Sequence, residues 1–134
     1  LQAVSLKMNQ SAHLSSQATF LAYDIIDRMR ANRTAALNEA YDMSLGCTAP
    51  SATGVVKDDL ENWLATLCGV DDEESAPGVL PQSDSGKTGA AIDMDNEGRV
   101  TVTLAWYDAR WQEQGDNGEQ DADPIKTVSV SAEL

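Results

Sequence analysis

The sequence predicts an α+β fold in which a long N-terminal helix packs on an antiparallel sheet of three or more strands. Two observations predict it. Residues 1–45 contain no Pro or Gly and repeat apolar and small side chains at helical spacing, whereas the last third of the chain alternates apolar and polar residues. The 134 residues suit one domain, with the helix in 1–33, a connecting region in 34–89 and the sheet in 90–134.

The predicted first helix carries one continuous stripe of apolar and small side chains. Its members follow alternating spacings of four and three residues, which keeps them on one face of a helix: Val4, Met8, Ser11, Ser15, Ala18, Ala22, Ile25 and Met29. A helix through about residue 32 would be roughly 48 Å long, and small side chains along its stripe allow another helix to approach closely. This periodicity fits equally a core helix of a compact domain and a helix that packs on other molecules.

The connecting region is predicted to contain two further helical segments. Residues 35–45 form a short one that Gly46 ends, and a longer amphipathic helix near 55–68 ends at Gly69. The apolar face of the longer helix consists of Val56, Leu60, Trp63, Leu64 and Leu67. Near its N-terminus the helix dipole favours three carboxylates, those of Asp58, Asp59 and Glu61. The composition of residues 71–89 predicts a solvated loop.

The two cysteines, Cys47 and Cys68, are predicted to lie in a loop and at a helix end. In an extracytoplasmic protein such a pair most simply forms a disulfide, and closing a loop of this length stabilises the fold by roughly 3 kcal/mol. A redox-active pair would be expected as Cys-x-x-Cys. We therefore predict a structural disulfide.

The C-terminal third is predicted to form the sheet. Residues 91–94 are a candidate strand, residues 96–98 a turn, and Arg99–Tyr107 a strand with clear alternation. One face of that strand consists of Val100, Val102, Leu104 and Trp106. A loop over 112–124 precedes a final strand over 126–133.

Two acidic segments could be interpreted as calcium sites. Residues 93–98 place oxygen-bearing side chains at the first, third and fifth positions before a glycine, but the twelfth position is Leu104 instead of a bidentate Glu. A hairpin turn is therefore the favoured prediction for this segment. The acidic residues within 116–123 are likewise predicted to form a solvated loop, so the sequence predicts no metal site and no cofactor.

Composition argues against several classes of function. The formal net charge is −13, from 9 Lys+Arg and 22 Asp+Glu, so the long-range field repels nucleic acid. His13 is the only histidine, which excludes a site with two or three imidazoles, and it is predicted to be an exposed residue of the first helix. No run of 18 apolar residues is present. We predict a non-enzymatic function.

The charge is distributed unevenly along the chain. Residues 1–34 carry four cations and two acids, a net charge of +2, while residues 35–134 carry five cations and twenty acids, a net charge of −15. Between Met8 and Tyr23 no residue is charged unless His13 is protonated. The helix is therefore suited to packing, and the remainder of the chain to a solvated surface.

Residues 21–32 read Leu-Ala-Tyr-Asp-Ile-Ile-Asp-Arg-Met-Arg-Ala-Asn, within a polar helical run over 10–33. This segment resembles the helix of minor pilins of the PilV type from bacterial type IV pili. Beyond about residue 33 the resemblance is architectural. It implies that residues 1–33 are the C-terminal part of a longer helix, whose hydrophobic part, methylated at its N-terminus, precedes this sequence and anchors the protein in the inner membrane.

The resemblance implies a structural function in pilus assembly. Such a protein joins minor pilins of the FimU, PilW, PilX and PilE types, and the major pilin, in a complex that primes assembly. It then lies at the pilus tip, where it supports twitching motility and adhesion, with a large adhesin as a further expected partner. Its headgroup is expected in the periplasm before assembly and at the cell surface afterwards.

The resemblance also implies roles for individual residues. Packing against other subunits is expected at Val4, Met8, Ser11, Ser15 and Ala18. Packing of the helix on its own sheet is expected at Ala22, Ile25 and Met29. The family motif comprises Tyr23, Asp24, Asp27, Arg28, Arg30 and Asn32, and its charged members are expected to form salt bridges on the helix surface.

Two alternative functions stay open. A minor pseudopilin of a type II secretion system would share this architecture. A secreted calcium-binding or hydrolytic module is a different class of protein, which a compact helix and a cleft of convergent carboxylates or metal ligands would support.

Overall fold

A long helix lies against a four-stranded antiparallel sheet in the computed structural model, which describes residues 2–70, 76–82, 87–108 and 125–134, with residues 2–11 described as helical backbone. In chain order the elements are α1 (Gln2–Ala31), α2 (Arg33–Leu37), β1 (Met43–Gly46), α3 (Gly54–Cys68), β2 (Gly69–Val70), β3 (Ala76–Pro77), β4 (Gly89–Met94), β5 (Arg99–Tyr107) and β6 (Ile125–Glu133). The sheet order is β1-β4-β5-β6, and β2 pairs with β3 separately. This architecture confirms the predicted α+β class.

The inner face of α1 forms one side of the core. Its buried residues recur at helical spacing, and α1 contacts β5, β6 and α3. They are Ala18, Leu21, Ala22, Ile25, Ile26 and Met29. The positions expected to pack on the sheet are thus all buried. Ala18, which the resemblance places at a contact with another subunit, is fully buried in the core of its own chain.

Strand β5 supplies the opposite side of the core. The predicted face is buried at Val100, Val102, Leu104 and Trp106, and the alternation of burial ends at Ala105, which is buried as well. It pairs with β4 on one side and, without a register shift, along all nine residues of β6 on the other. The side chains of Thr101 and Thr103 face outward, where each lies 3.0 Å from the hydroxyl of a serine in β6. Burial on one face of the sheet thus explains the period of two.

The turn between β4 and β5 is organised by Asp95. Its Oδ1 accepts hydrogen bonds from the backbone N–H groups of Glu97, at 2.8 Å, and Arg99, at 2.9 Å. The hydrogen bond from Arg99, and to a smaller extent the one from Glu97, lowers the pKa of the Asp95 carboxyl, because both favour its charged form. The predicted hairpin turn is confirmed, and a carboxylate that the calcium interpretation needed binds the backbone instead.

The predicted helix over residues 35–45 is wrong beyond Leu37. Helix α2 ends there, Glu39 adopts a positive φ of 65°, and Leu45 lies in β1. Strand β1 pairs with β4, which supplies backbone partners that local propensity does not reveal. The pairing brings Gly46 and Gly89 so close that a Cβ at Gly89 would collide with the Gly46 carbonyl. The sheet therefore begins in the predicted connecting region.

Helix α3 confirms the second predicted helix and ends before Gly69. Its apolar face is buried, and the predicted disulfide joins Cys68, its last residue, to Cys47, with the Cα atoms 6.1 Å apart. The carbonyls of Thr66 and Leu67, at the end of the helix, accept hydrogen bonds from the N–H groups of residues 79 and 80. The predicted stabilisation of Asp58, Asp59 and Glu61 by the helix dipole is wrong, because no acidic residue lies in the first turn of α3.

Several predicted loop segments lie outside the described residues. These are the loop over 112–124 with its acidic residues in 116–123, and residues 71–75 and 83–86 of the predicted loop over 71–89. Within 71–89, the described part contains the short strand β3 and the first residue of β4. The connecting region is thus more ordered into strands than its composition predicts.

Candidate interaction surface on the first helix

An aromatic pair lies on the outer face of α1. Phe20 is 74% exposed and Tyr23 is 50% exposed, and they are one turn apart on the helix. At about 100° per residue, Phe20 lies roughly opposite the buried Ala18 and Ala22 around the helix axis. The largest apolar side chain on this face therefore points away from the core of its own chain.

A shallow groove of about 440 Å³ surrounds this pair. It is lined by Ser15, Ser16, Thr19, Phe20 and Tyr23. The Thr19 hydroxyl donates to the Ser15 carbonyl at 2.9 Å, so this polar group is satisfied within the helix. The groove thus offers aromatic rings beside small side chains, a surface that suits an apolar side chain of a partner.

Two ion pairs lie on α1 beyond the groove. Arg28 Nε lies 3.3 Å from Asp24 Oδ1, and Arg30 Nη1 lies 3.6 Å from Asp27 Oδ1, so the charged motif residues pair along the helix as predicted. Exposed pairs of this kind contribute little to stability. The carboxylates of Asp24 and Asp27 are therefore both paired with an arginine of the same helix.

The last turn of α1 and the first residue of α2 contact the C-terminal end of the chain beside β6. The guanidinium of Arg30 donates to the Glu133 carbonyl at 3.1 Å, and that of Arg33 donates to the Leu134 carbonyl at 3.4 Å. These contacts join residues about 100 positions apart in the chain. They add hydrogen bonds to the packing of α1 on β6.

A polar cluster joins α1, α3 and the turn before β1. The Tyr41 hydroxyl donates to Asp59 Oδ2 at 2.6 Å and accepts from Asn32 Nδ2 at 3.4 Å. Arg28 Nη1 lies 3.6 Å from Asp59 Oδ1. Burial, followed by the hydrogen bond to Asp59, raises the pKa of Tyr41 to about 12. Motif residues Arg28 and Asn32 therefore hold the end of α1 in place.

Helix α3 is bonded directly to the backbone of α1. Trp63 is fully buried, and its Nε1 donates to the Leu21 carbonyl at 2.8 Å. A buried indole N–H needs an acceptor, and Leu21 lies only one residue from Phe20. This bond therefore fixes the helix backbone at the level of the aromatic pair.

A second groove, of about 730 Å³, follows β1 and the loop over 48–50. Asp42 and Asp93 lie on it, and Asp42 Oδ1 accepts the Met94 N–H at 3.1 Å. Burial raises the pKa of the Asp42 carboxyl. Among the described residues, no group of three or more His, Cys, Asp or Glu side chains could hold a metal ion.

The predicted subunit-packing residues separate into three groups. The side chains of Val4, Met8 and Ser11 lie outside the described part, Ser15 is half-buried and lines the groove, and Ala18 belongs to the core. His13 is exposed on the helix, as predicted.

The sequence analysis did not predict that Phe20 is exposed on the helix surface, and it assigned no role to Thr19. The signal was available, because two aromatic residues at a spacing of three lie off the predicted stripe.

Among the described helices, none is long and apolar enough to span a membrane. Comparison of the chain with protein-family models, curated proteins and solved structures gives no match.

Proposed function

We propose that this chain is the headgroup of a minor pilin of the PilV type, which joins other minor pilins to prime type IV pilus assembly and lies at the pilus tip. In this proposal it acts by binding and not by catalysis. Its partners are minor pilins of the FimU, PilW, PilX and PilE types, the major pilin and a large adhesin. It is periplasmic before assembly, anchored in the inner membrane by a helical segment preceding Leu1, and lies at the cell surface afterwards.

The observation that carries the proposal is the two-sided character of α1. One face is buried on the sheet, and the opposite face exposes Phe20 and Tyr23 on a helix of 30 residues. All the described buried residues of α1 lie between Ala18 and Met29. Helix α1 is longer than the part that is buried in its own core, and it exposes aromatic rings. Both properties suit a subunit that assembles through this helix.

The motif residues support the same proposal by what they contact. Arg28 and Asn32 reach the Tyr41–Asp59 cluster, and Arg30 reaches the end of β6. They hold the helix at a defined angle on the headgroup. A defined angle is what a subunit requires if its headgroup is to be positioned by contacts made along the helix.

Deletion of the gene in the native organism tests the proposal. We expect reduced surface piliation and reduced twitching, both restored by the wild-type gene, and co-purification of the protein with other minor pilins. Normal piliation in the deletion strain would contradict the proposal. Recovery of type II secretion subunits alone, with normal piliation, would instead support the pseudopilin alternative.

A further inference from the structure

We draw no further inference here: the strongest candidate, the groove along β1 on which Asp42 and Asp93 lie, is an acidic pair in which Asp42 Oδ1 already accepts the Met94 N–H, and nothing in the structure shows what would cover it.

Discussion

The inner and outer faces of α1 differ in a way that side-chain size alone would not predict. The inner face includes two alanines, Ala18 and Ala22, which are fully buried, while the outer face carries Phe20 at 74% exposure. The inner face also buries Leu21, Ile25, Ile26 and Met29, so small and large apolar side chains pack together in one core. The comparison teaches that burial along α1 follows the position of a residue around the helix and not its size, since a phenylalanine is exposed while two alanines are buried.

The largest expected effect is on the inner face. Ile25→Ala removes a fully buried side chain and should lower the free energy of unfolding by about 2–5 kcal/mol, because a cavity remains between α1 and the sheet. Urea denaturation followed by circular dichroism measures it. A loss below about 1 kcal/mol would show that the inner face does not hold the helix on the sheet.

The next effect concerns the cluster that holds the end of α1. Tyr41→Phe removes the hydroxyl that donates to Asp59 and should cost about 1.5–3 kcal/mol at neutral pH. Because the folded pKa of Tyr41 is about 12, above its usual value of 10.0, the stability from this group is complete below pH 10 and is lost as the pH rises toward 12. The difference between wild type and variant should therefore narrow from pH 10 to 12. A constant difference over that range would contradict this prediction.

A smaller effect is expected where α3 meets α1. Trp63→Phe removes the hydrogen bond to the Leu21 carbonyl and part of the buried ring, which should cost about 1–2 kcal/mol. Val55→Ala, at an exposed position on the same helix, is the control and should stay within about 0.5 kcal/mol of wild type. Equal effects of the two substitutions would argue against the buried bond.

The smallest effect on stability is expected on the outer face. Phe20→Ala should change the free energy of unfolding by no more than about 0.5 kcal/mol, because the ring is mostly in solvent. Thermal unfolding of the isolated chain measures it. A loss above about 1.5 kcal/mol would place Phe20 in the core and remove the distinction between the two faces.

Much of the fold could be predicted because its periodicities are local. Helix α3 and strand β5 each show one apolar face in the sequence, and each buries that face in the structure. Strand β1 could not be predicted, because its four residues are too few to show a period and its pairing with β4 joins distant parts of the chain.

The candidate site could be predicted only in part. The sequence predicts the stripe on α1 but not that Ala18 is fully buried within its own chain, because its burial depends on elements distant in sequence. The salt bridges within α1 followed from the resemblance, whose charged motif has its partners three and four residues apart in this chain. The contact of Arg28 with Asp59 did not, because 31 positions separate the two residues.

By itself the sequence determined that the chain is α+β, that its two cysteines form a disulfide, and that its negative charge lies outside the first helix. These properties depend on composition and on periods of two and 3.6 residues, which are local. Only the tertiary structure decided how far along α1 the core extends, because that depends on which distant elements pack against the helix. The core buries Ala18 and Ala22 together with the larger Leu21, Ile25, Ile26 and Met29, while Phe20 lies in solvent on the opposite face.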